Sequence, residues 1–580
     1  MINEETIMGD KVRGNVCRDN KFLDPVEFKR QGYMIIDFLS DYYARFHEYP
    51  VLSQVEPGYL ARHLSSSAPR EGEPLENLLE GVTKFIIPGL THWQSPGFFG
   101  YFPSSLSAAS VLGESLSAGF SVVSFNWQSA PAATELEHLV MDWLARAMGL
   151  PEHFLFSGSG GGVILGSTCE AIVCTLVAVR DKVLAERGRI SLEKLVVYCS
   201  DQTHCSLQKA ARIVGINPNN VRVLRTTMET AMGLSPTLLR ETIEADVDSG
   251  HIPLYLCATI GTTSTTAVDP VLPLCKIAKE YGIWVHVDAA YAGATLICPE
   301  YRGFAAGIEF ANSFSFNAHK WFLCPPVGCC CLWVKDREAF TRSLSMEADY
   351  LRNAPSDSKR VIDYKDWQIP LGRRFNSLRV WLVLSSYGIE GLQNHIRNHV
   401  RLAKIFEGLV EEDERFKVVS PRYFALVCFR LLHPCLAKRA NGHATENGQS
   451  VSNIRCAERG HSFSNGHAGD KVHSVSNGHS GKSCYSTSNG HTAANSHAAA
   501  DDIMTPYASK GGEGEGEEIN KLNQKLVQSI NESGRVFLTH AMIEGNYILR
   551  FAVGATTTKE SDIRMAWEVV QENASRLLLE

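Results

Sequence analysis

Between about residues 120 and 335 the chain alternates short, wholly apolar runs with stretches of helical spacing. Leu195-Val196-Val197-Tyr198, Leu254-Tyr255-Leu256-Cys257 and Ile283-Trp284-Val285-His286-Val287 are such runs. A strand that is apolar on both faces must be covered on both, which confines it to a parallel sheet wrapped by helices. The pattern predicts an α/β domain, and in such sheets a ligand lies at the carboxyl ends of the strands. A length of 580 residues leaves room for two or three packed units.

The flanks read differently. Residues 1–22 are polar, of mixed charge and without the apolar block of a secretory signal, and are expected to form a loose tail. Asp24-Pro25-Val26-Glu27 then carries a helix start: a capping acid, a proline at the first helical position and a glutamate that can reach back. Phe28, Met34, Ile35, Phe38, Leu39, Tyr42 and Phe46 follow at helical spacing, a stripe suited to packing on a core or a partner chain. After residue 385 come a helix and a strand-like run from Phe424 to Phe429. Between about 435 and 518 the composition collapses into Ser, Asn, Gly, His and Ala, with Asn-Gly-His at 441–443, 465–467, 477–479 and 489–491. So few bulky apolar groups cannot offset the entropy of ordering, and a disordered insertion is expected. Its histidines suggest metal binding; a solvated low-complexity loop is the better reading. The fold is expected to resume near Ile519 with a helix, then a strand from Tyr547 to Ala552 and a last helix to Leu579.

Composition narrows the function. A hydrophobic fraction of 44% and a charged fraction of 21% are those of a globular protein in water. The net charge of −7, with no long basic stripe, gives no case for nucleic acid. No run approaches the ~18 apolar residues needed to span a bilayer. The 16 cysteines are therefore expected reduced in the cytoplasm, with Cys329, Cys330 and Cys331 buried in a strand. No C-x-x-C pair occurs, so no metal site is expected.

Four local features carry chemistry. Lys320, in Ser315-Phe316-Asn317-Ala318-His319-Lys320-Trp321, stands just past a strand, where burial would lower its pKa and favour imine formation. Taken alone it could be an ordinary surface lysine. Asp288, in His286-Val287-Asp288-Ala289-Ala290-Tyr291, ends an apolar strand, where a buried acid needs a cationic partner unless it merely caps a turn. Ser157-Gly158-Ser159-Gly160-Gly161-Gly162, ahead of Ser167-Thr168-Cys169, reads as a glycine-rich turn running into a helix, suited to a monophosphate or simply flexible. It matches neither a P-loop nor G-x-G-x-x-G. His204, in Asp201-Gln202-Thr203-His204, follows an apolar strand at the same edge.

Together these features resemble the plant branch of the aromatic amino-acid decarboxylases, group II pyridoxal-phosphate enzymes. The resemblance covers about 23–434 and 519–575. Its signatures are Phe125-Asn126-Trp127 leading to Pro131-Ala132-Ala133-Thr134-Glu135-Leu136-Glu137, His286 to Gly293, Asn317 to Trp321, and Tyr364-Lys365-Asp366-Trp367-Gln368-Ile369.

The resemblance implies fold type I, aspartate aminotransferase-like. It implies an N-terminal helical, dimer-forming segment at 23–107 and a large cofactor domain with a mixed, mostly parallel sheet at 108–384. A small α+β domain would occupy 385–580, interrupted at 435–518. It implies pyridoxal 5'-phosphate carried by Lys320, with Asp288 at its ring nitrogen and Ala290 and His204 on its two faces. Thr263 would support that histidine, and Thr168, Cys169, Asn317 and His319 would surround the phosphate. Cys169 replaces the usual serine, and a thiol is the weaker donor.

Trp93, Tyr101, Phe102, Pro103 and Phe125 match an aromatic substrate wall. Val123 and Phe125 would serve the neighbouring site of a homodimer. Tyr350 matches the loop tyrosine that returns a proton to Cα, where relatives that release aldehydes carry phenylalanine. Gly372 matches a position where glycine accompanies indole substrates and serine phenols. The implied reaction is decarboxylation of an aromatic L-amino acid, tryptophan before tyrosine, Dopa or phenylalanine, to its amine. The alternatives are the aldehyde-forming reaction on the same scaffold and a non-catalytic scaffold protein. One departure stands out: Phe322-Leu323-Cys324-Pro325-Pro326-Val327-Gly328 is one residue longer than the family pattern, with Gly328 in place of an aspartate.

Overall fold

The computed structural model describes residues 23–188, 192–346, 348–432 and 513–579, which fall into one compact unit. The expected tail at 1–22 and most of the expected insertion, with its Asn-Gly-His repeats and the metal reading attached to them, lie outside the described residues.

The apolar runs form strands as expected. The large sheet contains β1 (Gly161–Leu165), β2 (Leu195–Ser200), β3 (Val221–Leu224), β4 (Ile252–Thr259), β5 (Trp284–Asp288), β6 (Ser313–Asn317) and β7 (Cys330–Val334), in the order β1-β7-β6-β5-β4-β2-β3. Only β7 runs against its neighbours; the other pairs are parallel. Strands β1, β2, β5, β6 and β7 are buried along their whole length, which explains their lack of polar alternation. Cys330 and Cys331 lie in β7 and Cys329 is buried just before it, as expected of consecutive thiols. The edge strand β3 is partly exposed, and its Val-Arg-Val-Leu sequence carries no apolar run to announce it. A second, antiparallel sheet has the order β10-β11-β9-β8, from β8 (Phe416–Val418), β9 (Leu426–Leu431), β10 (Thr539–Ile543) and β11 (Asn546–Ala552).

The longer helices are α1 (Pro25–Ala44), α2 (Ala108–Phe120), α3 (Pro131–Met148), α4 (Thr168–Arg187), α5 (Asn376–Glu411), α6 (Glu513–Glu532) and α7 (Glu560–Leu579). Asp24 caps α1 as expected, accepting the amides of Val26 and Glu27 at 3.0 Å, a cap worth about 1 kcal/mol. No residue within α1 is buried, and Phe28, Tyr33, Ile35, Ile36 and Tyr43 are exposed. Of the expected stripe, Phe28 and Ile35 are exposed, Met34, Phe38, Leu39 and Tyr42 are half-buried, and Phe46, just past the helix, is buried. Helix α5 runs across 384–385, the expected domain boundary, and is broken at Gly388 (φ 62°).

Helix α6 starts at Glu513, ahead of the expected end of the insertion at 518. Glutamates favour a helix N-terminus, and Glu517 pairs with Lys521 one turn on at 2.8 Å, so an unpromising composition still forms helix. The two edges of the interrupted stretch are joined by one side chain. Asn523 accepts the Leu431 amide at 2.8 Å and donates to the Leu431 carbonyl at 2.9 Å.

The glycine-rich segment corrects an expectation. Gly161 and Gly162 begin β1, whose other end, Leu165, lies beside Cys330 and hence beside the Asn317 end of β6. The glycines are thus at the opposite edge from Lys320. They are there for packing: a Cβ on Gly160 would stand 2.1 Å from the Val334 carbonyl, and one on Gly162 2.6 Å from Met141 Cε.

Candidate active site

Strands β4, β5 and β6 end together at Thr259, Asp288 and Asn317. Thr259 lies beside Asp288 in the β4–β5 register, and Asp288 beside Ser315 in the next pair. The chain then makes one helical turn, Ala318–Trp321, which lifts Lys320 over this edge. Lys320, Asp288, His204, Thr168, Cys169, Thr263, Ala290 and Asn317 line one cavity of about 260 Å³. Lys320, His204 and Thr263 also line a larger adjoining cavity of about 640 Å³, together with His319, Trp93, Tyr101, Phe102 and Pro103.

Burial sets the protonation states. Desolvation lowers the Lys320 amine below its ordinary pKa, opposed by the charge of Asp288 and assisted by Arg550. The neutral, nucleophilic form is thereby enriched. The Asp288 carboxylate is 3% exposed and accepts the Ala290 amide at 2.9 Å. Among the described residues no cation forms an ion pair with it. Burial lowers His204 as well, and its Nδ1 accepts the Ser206 amide at 3.1 Å. Its ring is therefore neutral near pH 7, with the proton on Nε2. His319 is pushed down to about 4 by burial and by Lys320, and accepts the Cys329 amide at 3.3 Å. At the first turn of α4, Ser167 caps the helix, and Thr168 donates to Asn317 Oδ1 at 2.9 Å. A helix N-terminus there turns amide donors and partial positive charge toward the cavity.

The larger cavity is walled by aromatic groups. Trp93 and Tyr101 stack at 5.5 Å. Phe102 stacks on Tyr291 at 3.8 Å and Tyr291 on Trp321 at 4.8 Å. Lys320 Nζ stands 5.5 Å from the Phe102 ring centre. Tyr101 holds φ 52°, a conformation rare for a non-glycine residue, and is pinned by its amide donating to Thr539 Oγ1 at 3.1 Å.

Four candidate residues, among them Val123 and Phe125, which were expected to serve a neighbouring site, lie away from this cavity. Val123, Phe125, Gly372 and Tyr350 line neither space beside Lys320, and Tyr350 is 80% exposed. Three of them belong to one locality. A Cβ on Gly372 would meet Val123 Cγ1 at 3.8 Å, and Ser124, between Val123 and Phe125, donates its amide to the Arg373 carbonyl at 3.2 Å. The loop carrying Gly372 is tied to α3 by a buried ion pair, Arg373 to Glu137 at 2.7 Å.

Other residues join the site unannounced. Thr259 Oγ1 is buried in the smaller cavity without a hydrogen-bond partner. Arg550, 3% exposed, lines the larger one and stacks its guanidinium 5.2 Å from Phe102. The available signal was a lone arginine in the apolar strand Tyr547–Ala552. Pro326 and Val327 of the lengthened segment line the same cavity, and Val327 holds φ 72°, an outlier for a β-branched residue.

The family model described as the pyridoxal-dependent decarboxylase conserved domain matches residues 57–432. The chain belongs to the pyridoxal-dependent decarboxylases. A tyrosine decarboxylase of Papaver somniferum is 50% identical over 568 residues, 97% of each chain. A phenylacetaldehyde synthase of Petunia hybrida is 49% identical over 565 residues, again 97% of each. The crystal structure of Catharanthus roseus tryptophan decarboxylase in complex with L-tryptophan superposes with a TM-score of 0.78 at 42% identity, covering 96% of this chain and 99% of that one. The fold is thus that of the type I decarboxylases, and the enzyme's cofactor is pyridoxal phosphate. The cavity of this decarboxylase fits that group. It presents a desolvated primary amine, a buried carboxylate that forms no ion pair among the described residues, an unpartnered hydroxyl and the first turn of a long helix.

Proposed function

We propose that this decarboxylase converts an aromatic L-amino acid to its arylalkylamine and carbon dioxide, in the cytoplasm and as a homodimer. The observation that carries the reading is the aromatic wall of Trp93, Tyr101 and Phe102 beside the desolvated amine of Lys320. When bound, the cofactor supplies a sink for the electron pair left by the departing carboxylate. Lys320 would attach it, Asp288 would serve its ring nitrogen, and the neutral His204 and Ala290 would hold its ring. Thr168, Cys169, Asn317 and His319 would hold the phosphate, and Thr263 would steady His204. With a thiol in this set, Cys169→Ser is expected to tighten cofactor binding a few-fold, read as the cofactor dissociation constant by fluorescence quenching.

Tyr350 donates the proton that completes the amine at Cα. Relatives about equally similar are named as a decarboxylase and as an aldehyde synthase, so overall identity does not choose between the reactions. The phenol at 350 favours the amine, and Tyr350→Phe should divert product to aldehyde, with molecular oxygen and water consumed and hydrogen peroxide and ammonia released. An unchanged product ratio rejects the role.

The exposed apolar groups of α1, Phe28, Ile35 and Ile36 among them, and the exposed group of Val123, Tyr350 and Gly372 support a dimer in which one chain completes its neighbour's pocket. Mixing Lys320→Ala with Tyr350→Phe under subunit exchange should then restore amine-forming sites that neither parent has. Glycine at 372 leaves room for a second ring and favours tryptophan, whereas the Papaver relative is named for tyrosine. A panel of tryptophan, 5-hydroxytryptophan, tyrosine, Dopa and phenylalanine, scored for amine and aldehyde, ranks them.

A further inference from the structure

The lengthened segment after Lys320 is bracketed by two thiols. Cys324 and Cys329 are both fully buried, and their side chains are hydrogen-bonded to each other. Pro325, Pro326, Val327 and Gly328 stand between them. The backbone takes left-handed φ at Leu323 (57°), Val327 (72°) and Gly328 (83°), a conformation costly for a β-branched residue. Both ends of the segment are held by the chain around Lys320. Leu323 donates its amide to Ser105 Oγ at 3.3 Å and accepts from Ser107 Oγ at 2.9 Å, while Ser105 Oγ donates to the Lys320 carbonyl at 3.2 Å. The Cys329 carbonyl accepts the Ala318 amide at 2.9 Å, and its amide donates to His319 Nδ1 at 3.3 Å. The tip differs from the ends: Pro326 and Val327 are exposed and line the larger cavity beside Lys320.

Two conditions for thiol oxidation meet here: sulfur atoms in contact, and surroundings that favour one thiolate. Against the opposing effect of burial, the hydrogen bond from Cys324 draws the Cys329 thiol below its ordinary pKa. The charge of Arg379, which donates to the Gly328 carbonyl at 3.1 Å, adds to this. We propose that Cys324 and Cys329 are a redox modification site, a thiol pair that a hydroperoxide converts to a disulfide and a dithiol reductant restores. The Cys329 sulfur attacks one oxygen of hydrogen peroxide, the O–O bond breaks, and the second oxygen leaves as water. The Cys324 sulfur then displaces the new hydroxyl as a second water. Two thiols and one hydrogen peroxide thus give one disulfide and two waters. An S–S bond of about 2 Å is shorter than any hydrogen-bonded approach of two thiols, so closing it draws in the base of the turn. Pro326 and Val327 then move in the cavity wall. A displacement of about 1 Å near a reacting centre can cost about 10²-fold in rate. The pair therefore lowers turnover when oxidised, whichever aromatic amino acid the enzyme prefers.

The test treats the wild-type holoenzyme with hydrogen peroxide at a dose that oxidises the exposed Cys205, alkylates the remaining thiols and maps tryptic peptides by mass spectrometry. The expected product is peptide 321–335 two hydrogens lighter, with Cys330 and Cys331 alkylated and Cys324 and Cys329 not. Carbon dioxide release should fall about tenfold or more and return after dithiothreitol. In Cys324→Ala the same treatment should leave activity within about twofold of the untreated variant, because the reversible step is gone. Alkylation of both thiols in treated wild-type protein overturns the proposal, and this readout needs no variant to fold. A disulfide between other cysteines overturns it, as does a 324–329 bond that leaves activity unchanged. An equal, dithiothreitol-reversible loss in wild type and Cys324→Ala places the sensitive thiol elsewhere and overturns it as well.

Discussion

Lys320→Ala protein is expected to purify colourless in the presence of pyridoxal phosphate and to lose decarboxylase activity by roughly 10⁴-fold or more. Lys320 stands on the single turn after β6, and its amine faces a cavity that also holds Asp288 and the start of α4. Removing it takes away the covalent attachment and leaves the carboxylate and the helix N-terminus to hold the cofactor without a bond. Visible absorbance gives the first readout and carbon dioxide release the second. A yellow band that persists in the alanine variant, or activity within tenfold of wild type, would assign the attachment to another residue. Far-ultraviolet circular dichroism should be unchanged, because Lys320 makes no structural hydrogen bond through its side chain among the described residues.

The largest effect on stability is expected at Glu137. Its carboxylate is 2% exposed and the Arg373 side chain 3%. Glu137 accepts from Arg373 and from the Ile164 amide at 2.8 Å. Arg373 also donates to the Ile164 carbonyl at 3.0 Å and lies 4.5 Å from the centre of the Tyr364 ring. Glu137→Ala leaves a buried guanidinium without its anion, which costs about 3–5 kcal/mol. The midpoint of urea unfolding should fall accordingly. The double variant Glu137→Ala with Arg373→Met should recover much of the loss, since an apolar pair tolerates burial that a lone charge does not. If the single variant unfolds at the wild-type midpoint, the pair contributes little to holding the loop that carries Gly372 against α3.

How far the sequence foretold this molecule depended on what each residue does there. Strands buried on both faces, such as Leu195–Ser200 and Trp284–Asp288, must be apolar throughout, and their runs were legible. The chemistry at their ends was legible too, because Asp288 and Lys320 are charges in places where burial makes charge expensive. The glycines at 160–162 were misread for a physical reason. Glycine that lets backbones touch and glycine that opens amides to an anion look alike in one dimension. Thr259 gave no signal, since an ordinary hydroxyl becomes informative only when its surroundings leave it unpaired. The separation of Tyr350 and Gly372 from Lys320 was equally hidden, because the order of motifs along a chain does not fix their distance in space.

The grip of Asn523 on both backbone groups of Leu431 has a wider consequence. It closes a seam between the end of β9 and α6 across 92 positions of sequence. A loop closed between two such fixed points costs only about 0.6 kcal/mol more for each doubling of its length. The same seam is a natural place to graft a reporter or an affinity module.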